Sequence, residues 1–492
     1  MAKNYSISTN PIVTGSLWGF ISVFLQKFFG VATYLTFAWL LTPEEIGIGT
    51  LAITICAFVT IIYPGASIDS LMGLVSPSKS LIFACSLLST ISAVFYLILI
   101  LICGSFVAYW WKIPVLYPLL IVISLKLIVE TFSYRPIGQL LLTFKFKQIT
   151  YADLFFSSAV LISSLILAFA GAGVWSMIAP LLVGHIFRTI YLINLCPPTI
   201  HLFELYSSIR KILPGYLFGG FQHYFIGLTQ VADYLAIGFF CSKISLGIYT
   251  IAYQLASISY ILFSITIGRV VQATFLAQNN LPHVQFNSFR HIQLQAMIFA
   301  APIGISFAAI SPPLCNFLFP QKFSGIEEPL SLLSLGMVAA NPIGISMGYL
   351  RAKSSFKLLL YVQAFHALIL IISCFFAAWF GGINAVALSV FLCLLLVSSL
   401  YIAVINFEKK LIYKLNIWPI IPVLIAIPCF LPCVFVCWLR TTPYNLFVVF
   451  LSFIFGMIFY FILIRFKYLQ IVTVIEREIL TRIRSSFMTR PR

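Results

Sequence analysis

The chain has 492 residues, of which 61% are hydrophobic and only 8% are charged, and its mean hydropathy is +1.07. Soluble domains carry about 25% charged residues, so the composition excludes a soluble protein and indicates a polytopic membrane protein. A net charge of +17 would suggest nucleic acid in a soluble protein, but the basic residues follow the loop pattern of a membrane protein, so no nucleic-acid partner is expected.

The eleven cysteines lie mostly inside apolar runs, and no Cys/His cluster has the spacing of a metal site. Cys429, Cys433 and Cys437 share one helix face, but lipid-facing or packed thiols explain them. We expect no disulfide, no metal and no cofactor. The first eleven residues are polar and lack the pattern of a cleaved signal peptide.

Fourteen apolar runs predict an all-α polytopic membrane protein with about 14 transmembrane helices, because each run is near the ~20 residues that cross a bilayer as a helix. The runs are 12–41, 46–66, 80–109, 113–133, 149–170, 174–194, 212–240, 246–268, 292–312, 330–350, 358–380, 383–405, 417–438 and 444–464. Turn-forming residues such as Thr42-Pro43 and Gly381-Gly382 separate them.

The distribution of Lys and Arg predicts the orientation. Of the 29 basic residues, only four lie in the loops after odd-numbered runs, namely Lys112, Lys243, Lys322 and Arg440. Nearly all of the others lie on the opposite side, and cytoplasmic loops collect Lys and Arg. We therefore expect both termini in the cytoplasm.

An internal duplication organises the chain. Residues 15–52 align without a gap on residues 215–252, and the identical positions in the first copy are Gly15, Leu17, Gly19, Val31, Ala32, Tyr34, Leu35, Gly47, Ile48, Thr50 and Ala52. Further echoes, such as Pro136 to Gly138 and Pro342 to Gly344, extend the repeat over runs one to six and seven to twelve. Units of six spans run in the same direction, so an axis along the membrane normal relates them.

This repeat predicts four parts: an N-terminal lobe over 1–200 with six helices, a C-terminal lobe over 201–410 with six, two additional transmembrane helices over 411–464, and a basic cytoplasmic tail over 465–492. We expect the two extra helices to pack against lipid and the outside of the second lobe. The tail alternates Arg and Lys with apolar residues, which is typical of an amphipathic helix on anionic membrane lipids.

The first helix of each lobe carries a polar stripe. In run one, Gly19, Ser22, Gln26, Lys27, Gly30 and Thr33 fall within an arc of about 140°. In run seven, Gly219, His223, Gly227, Gln230 and Asp233 fall on the matching arc. The two stripes predict one shared cavity with Gln26, Lys27, His223 and Gln230 as substrate-binding residues.

Each charged residue within the apolar runs has two interpretations. Lys27 would cost about 2.5–3.5 kcal/mol in hydrocarbon, so it faces water or an anion, or it is neutralised or paired with a carboxylate inside the bundle. Lys126 and Glu130 are four residues apart and can pair, with cavity and ion-coupling roles as the functional alternatives. Asp233 is a counter-ion to a lysine, or a carboxylate that takes up H⁺ or Na⁺, and His223 can share that task or be a core histidine.

Three further charges lie near the cytoplasmic ends of the runs: Asp153, Arg188 and Arg269. Snorkelling to the interface is favoured for Arg188, whereas Arg269 can equally be a cavity cation. A cavity lined with cations and glycines suits a phosphate-bearing amphiphile better than an organic cation, so the substrate should be anionic with a bulky polar part.

The ordered motifs resemble the polysaccharide or O-antigen (Wzx-type) flippases of the multidrug/oligosaccharidyl-lipid/polysaccharide (MOP) exporter superfamily. They are Gly15-Ser16-Leu17-Trp18-Gly19, the turn from Leu40 to Gly47, Ala170 to Trp175, Ala232 to Leu235, and Leu246 to Tyr249. The resemblance implies a V-shaped, MATE-like bundle in a bacterial inner membrane. It also implies flipping of an undecaprenyl-pyrophosphate-linked oligosaccharide by alternating access with H⁺ or Na⁺ coupling, for O-antigen or other lipopolysaccharide-type surface polysaccharide.

In related lipid flippases, basic residues around the central cavity come from the first helix and from both lobes, a role that Lys27 and Arg269 could fill here. The chain departs from that pattern in using lysine rather than arginine deep in its spans. We expect a monomer that is not an enzyme. Its expected partners are membrane lipids and a polysaccharide polymerase and chain-length regulator.

Two other functions are open at this point. A MATE-like drug or cation antiporter would want a carboxylate-rich cavity, which the basic bias disfavours. A membrane-embedded glycosyltransferase or polymerase would need a long extramembrane loop, and the longest soluble segments are the tail and the connections near 195–211 and 269–291. No Walker motif is present, so ATP is not expected to drive transport directly.

Overall fold

The structure, a computed structural model, describes residues 11–68, 78–143, 145–197, 204–265, 267–268, 282–319, 321–353, 355–408, 420–438 and 445–467. These residues form fourteen helices, and the described part of the chain contains no strand. The fold class predicted from the sequence is confirmed. Nine helical segments among the described residues are long and apolar enough to cross a membrane, and one of them is a 50-residue run that holds two helices.

The first lobe contains α1 (Pro11–Leu40), α2 (Pro43–Val59), α3 (Lys79–Trp110), α4 (Leu116–Leu142), α5 (Phe146–Phe169) and α6 (Trp175–Leu195). The second contains α7 (Leu205–Phe240), α8 (Lys243–Tyr260), α9 (Pro282–Leu318) and α10 (Glu327–Ala352), followed by the run Phe356–Glu408. That run is two helices, α11 (356–381) and α12 (383–408), because Gly382 has φ +62° and interrupts the helical backbone. The last helices are α13 (Ile420–Trp438) and α14 (Asn445–Lys467).

Helix ends differ from the predicted runs where a helix continues past the apolar segment. Helix α7 begins at Leu205 rather than 212, and its first turns include the exposed residues Arg210 and Lys211. These polar turns extend the helix beyond the hydrophobic run, since backbone hydrogen bonding does not stop where hydropathy falls. Helix α8 runs directly into a π-helical turn, Ile261–Ile265.

Each lobe is a bundle of closely packed helices. In the first lobe, α5 packs on α1 and α6, while α4 packs on α3 and α6. In the second, α10 packs on α8, α9 and the α11–α12 pair, which also packs on α7. We call these sets the N-lobe and the C-lobe. Close helix packing in a membrane uses small residues, and Gly304 of α9 faces Val338 of α10 in this way.

Helices α13 and α14 pack on the C-lobe through α9. Their apolar contact includes Ala426 and Phe430 of α13 and Tyr460 of α14 against Met297 and Ile298 of α9. The Tyr460 hydroxyl donates to the Ile298 carbonyl at 2.9 Å, which satisfies the one polar atom of that buried ring. Helices α13 and α14 therefore extend the C-lobe on the side of α9.

The helices that connect the lobes begin with matching caps. Thr42 caps α2 in a capping box with Glu45, whose backbone N–H donates to the Thr42 hydroxyl at 3.3 Å. At the duplicated position, Ser242 caps α8 and accepts from the Ser245 N–H at 3.1 Å. Each cap satisfies orphan backbone N–H groups, and both fix where the crossing helices begin.

Candidate functional site

The two lobes meet where α2 crosses α8 near the N-terminal ends of both helices. Gly47 and Gly247 are duplicated residues, and each backbone lies directly on the opposite helix. A Cβ on Gly47 would lie 1.9 Å from the Lys243 carbonyl oxygen, and one on Gly247 would lie 1.8 Å from the Pro43 carbonyl oxygen. One turn further, the Thr250 hydroxyl donates to the Thr50 hydroxyl at 3.1 Å. The repeat therefore places equivalent residues against each other across a pseudo-twofold axis.

Lys322 makes a second contact between the lobes at the same end of the bundle. Its ammonium group donates to the backbone carbonyls of Trp39 at 3.1 Å and Leu41 at 2.6 Å, where α1 ends. A cation at a helix C-terminus satisfies orphan carbonyls and the helix dipole. Desolvation lowers the pKa of Lys322, and the nearby Glu45 carboxylate opposes that shift. Lys243 also lies 3.8 Å from Glu44 across the crossing.

The lobes also touch at the opposite end, where α3 and α7 begin. The hydroxyls of Ser80 and Ser208 are 2.9 Å apart, and those of Ser92 and Tyr216 are 2.8 Å apart. A Cβ on Gly220 would lie 2.8 Å from the Ile62 side chain, so this contact is close as well. Both ends of the interlobe region are therefore bridged in this structure.

Lys27 lies between these two levels, on α1, and reaches the other lobe. Its ammonium group donates to the Ser257 hydroxyl at 2.7 Å and to the Gln254 amide oxygen at 3.4 Å, both on α8. The described residues place no carboxylate within 4 Å of it, so the alternative of a buried Lys–carboxylate pair is not observed in this part of the chain. Neutral oxygens hold the ammonium group in place and leave its charge uncompensated.

Gln26, next to Lys27, turns toward its own lobe. Its amide donates to the Ser22 hydroxyl at 2.9 Å, and Ser22 donates to Asp153 of α5 at 2.7 Å. The same carboxylate accepts from the Arg188 guanidinium at 2.7 Å. Arg188 therefore forms an ion pair between α5 and α6, and its snorkelling to the interface stays a prediction. The pair became possible because the fold brings Asp153 beside it.

Lys126 and Glu130 form the ion pair that their spacing predicts. Their Nζ and Oε2 atoms are 2.7 Å apart, and the side chains are 21% and 10% exposed. His185 of α6 lies 3.8 Å from the same Glu130 oxygen. These three residues join α4 to α6 inside the N-lobe, so each charge there has an opposite charge beside it.

A cavity of ≈310 Å³ lies inside the C-lobe. Residues of α7, α8, α10, α11 and α12 line it, together with Gly268 just after α8. Its polar lining includes His223, Gln230, Asp233, Arg351, Gln363 and His366. The structure thus brings three residues of the α7 stripe together, whereas Gln26 and Lys27 do not line this cavity. His223 also contacts the N-lobe, since its ring centroid is 5.5 Å from that of Tyr63.

Asp233 is 2% exposed and is held by neutral donors. Its Oδ2 accepts from the Tyr249 hydroxyl at 2.8 Å, and its Oδ1 accepts from the Tyr234 backbone N–H at 2.9 Å. No Lys or Arg among the described residues lies within ion-pair distance. The counter-ion alternative for Asp233 therefore has no partner in the described part of the chain.

Sequence reasoning missed several residues of these sites. Arg351, Gln363 and His366 line the C-lobe cavity but belong to neither polar stripe, and Lys322 is a single basic residue in a loop. The sequence did single out Lys322 by its location, because only four basic residues fall in loops that are expected on the external side of the membrane. Arg269, the remaining candidate cation, lies outside the described residues.

Several solved structures share this fold. The lipid II flippase MurJ in an inward closed conformation is 16% identical with a TM-score of 0.70, covering 92% of this chain and 99% of that chain. An inward-facing multidrug resistance MATE family transporter of the MOP superfamily is 12% identical with a TM-score of 0.63, covering 79% and 96%. A MATE structure in the straight conformation is 11% identical, with a TM-score of 0.57 and coverage of 82% and 96%. At these identities the likeness shows the fold, which is the two-lobe arrangement of this superfamily.

No curated protein sequence matches the chain. A family model described as polysaccharide biosynthesis protein matches residues 36–328, which is more than half of the chain. The matched range runs from the end of α1 into α10 and contains the α2–α8 crossing, the N-lobe ion pairs and Asp233. The chain therefore belongs to this family of polysaccharide biosynthesis proteins and has the fold of the MOP superfamily.

Proposed function

We propose that this protein moves an undecaprenyl-pyrophosphate-linked oligosaccharide across a bacterial inner membrane, for surface polysaccharide synthesis. Its family and its two-lobe fold support transport within polysaccharide biosynthesis. The observation that carries the proposal is Lys27, a cation that spans the two lobes with only neutral partners.

The energetics of Lys27 point to an anionic ligand. An ammonium group within the membrane costs about 2.5–3.5 kcal/mol on insertion scales, and two neutral oxygens do not cancel its charge. A phosphate or pyrophosphate group would supply both the opposite charge and several acceptor oxygens. An organic cation would be repelled, which disfavours a MATE-like drug substrate.

The interlobe contacts support alternating access. The α2–α8 crossing and the α3–α7 contact lie at opposite ends of the bundle, so separating one pair while keeping the other would open the region around Lys27 to one side at a time. We propose that the α2–α8 end faces outward and both termini are cytoplasmic, as the basic-residue distribution favours.

Other residues keep the roles proposed from the sequence. His223, Gln230, Arg269, Gln26 and Lys126 are candidate ligands for the polar part of the substrate. Asp233 and Glu130 are candidate H⁺- or Na⁺-coupling groups. Of the two carboxylates, Asp233 is the stronger candidate, because Glu130 is already neutralised by Lys126.

The test is a deletion strain complemented with Lys27 variants. We expect deletion to stop surface polysaccharide and to accumulate the lipid-linked repeat unit in the inner leaflet, where mass spectrometry of extracted lipid identifies its sugars. Lys27→Ala should reproduce the deletion, while Lys27→Arg should retain surface polysaccharide because the positive charge remains.

Lys147→Ala is the matched control. Lys147 is an exposed lysine near the start of α5 whose ammonium group lies 5.7 Å from the Trp18 ring centroid, away from the lobe interface. This variant should behave as the wild type at equal abundance in the membrane. Normal surface polysaccharide with Lys27→Ala would overturn the proposed role of Lys27, and a deletion strain without accumulated lipid-linked sugar would overturn the proposed substrate.

A further inference from the structure

The C-lobe cavity contains a buried histidine without a hydrogen-bond partner among the described residues. His366 of α11 is 5% exposed, and neither of its imidazole nitrogens has a hydrogen-bond partner among the described residues. It lines the same ≈310 Å³ cavity as Asp233. Buried polar groups are normally satisfied, so two open nitrogens beside a cavity point to a ligand or to water that carries protons.

The surroundings of these two groups are largely neutral. Gln363, one turn before His366, donates from its amide nitrogen to the Tyr401 hydroxyl at 2.6 Å, so its NH₂ group is already engaged. The other titratable or charged groups that face the cavity or Asp233 are His223 and Tyr234 from α7, Tyr249, Tyr253 and Tyr260 from α8, Arg351 from α10 and Cys374 from α11. Asp233 is thus the one carboxylate among the described residues lining the cavity.

We propose that the C-lobe cavity is a proton-binding site in which Asp233 and His366 each accept one proton. This inference rests on the proposed transport function and names H⁺ as its coupling ion. Proton uptake changes the pair from a carboxylate with a neutral imidazole to a carboxylic acid with an imidazolium. The protonated carboxyl can still bond Tyr249, because a hydroxyl can donate or accept.

The donor set favours H⁺ over Na⁺. A hard cation prefers a shell of several oxygens, as carboxylates and carbonyls provide. Here a single carboxylate is present, and both of its oxygens already accept hydrogen bonds. The amide oxygens of Gln230 and Gln363 are neutral, and the buried lining atoms without a partner among the described residues are the imidazole nitrogens of His366. An imidazole accepts a proton near neutral pH.

The experiment is carbodiimide labelling of the full-length protein in detergent micelles. Dicyclohexylcarbodiimide reacts with protonated carboxyl groups in apolar surroundings, and mass spectrometry locates the modified residue. We expect Asp233 to be labelled with a pH-dependent yield between about pH 5 and pH 8, equally in Na⁺ and in choline. Glu130 should be labelled far less, because Lys126 holds it as a carboxylate.

His366→Gln provides the diagnostic shift. A positively charged imidazolium in the same cavity stabilises the ionised form of Asp233. Removing it should therefore move the midpoint of Asp233 labelling to higher pH by about half a unit or more. His185→Gln, which removes the buried histidine beside Glu130, is the matched control and should leave the Asp233 midpoint in place.

Modification of His366 by diethylpyrocarbonate in the otherwise unchanged protein measures the protonation of His366 without a His366 variant. The rate of this reaction should fall as His366 becomes protonated, and the Asp233→Asn substitution should shift the pH at which the rate is half-maximal. Protection of Asp233 by Na⁺ but not choline would overturn the proton assignment in favour of sodium. An unlabelled Asp233, or identical midpoints in His366→Gln and the parent, would overturn the site. None of these results depends on lipid transport, so each leaves the proposed substrate unaffected.

Discussion

Lys126 and Glu130 stabilise α4 only as a pair. Their ion pair is 2.7 Å long and only partly exposed, so removing one partner leaves the other charge poorly solvated. We expect Lys126→Met to destabilise the protein by about 2–3 kcal/mol, somewhat less than for a fully buried pair because the lysine retains contact with solvent. The double variant Lys126→Met with Glu130→Gln should recover most of that loss.

Thermal unfolding of the purified variants in detergent measures this difference. Lys147→Met, which removes an exposed lysine from α5, should leave the unfolding temperature nearly unchanged. Equal losses for the single and the double variant would show that Lys126 stabilises the helix through packing of its side chain and not through charge.

At this scale the sequence reveals pairs within a helix but not pairs between helices. The spacing of Lys126 and Glu130 predicts their contact, since residues four apart share a helix face. Asp153 and Arg188 are 35 residues apart, and only the packing of α5 on α6 brings them to 2.7 Å. His366 was missed for the same reason: no local pattern relates it to Asp233, 133 positions earlier.

At the α2–α8 crossing the two helix backbones lie so close together that no side chain fits between them. Gly47→Ala would place a Cβ 1.9 Å from the backbone carbonyl of Lys243, and a backbone atom cannot move aside as a flexible side chain can. We expect the substitution to separate α2 from α8 and to expose this end of the bundle. A cysteine at Thr250, now buried against Thr50, should then react faster with an impermeant maleimide added outside.

Gly19→Ala is the control, because a Cβ there meets nothing within 4 Å. It makes the same chemical change in α1 and should leave the labelling rate of the Thr250→Cys reporter unchanged. If Gly47→Ala labels no faster than Gly19→Ala, this crossing does not determine whether that end is open.

The duplication explains how much of this element could be predicted. Gly47, Thr50 and their copies were visible in the sequence as identical residues 200 positions apart, and the repeat predicted the axis that relates them. Their mutual contact was not predicted, because a repeat gives the symmetry of two units but not which faces meet. The Thr250–Thr50 hydrogen bond identifies α2 and α8 as those faces.

Across the whole molecule, the fold follows the internal repeat but the arrangement of charged residues does not. The backbone follows the repeat, yet the N-lobe pairs its acids with Lys126 and Arg188, whereas the C-lobe leaves Asp233 with neutral donors. The sequence already contained this asymmetry in the replacement of Thr33 by Asp233 at the matching stripe position. It could not show that Asp233 lines a cavity of its own lobe, because residues from α7, α8, α10, α11 and α12 form that cavity.

This asymmetry predicts which lobe couples transport to an ion gradient. In proteoliposomes supplied with the lipid-linked repeat unit from the deletion strain, an imposed pH gradient should accelerate flipping by the wild type. Asp233→Asn should flip slowly at a rate that the gradient no longer changes, because a neutral amide cannot exchange a proton. Glu44→Gln, which removes a carboxylate near the start of α2, should keep the full response. A full response by Asp233→Asn would show that Asp233 is not the coupling group.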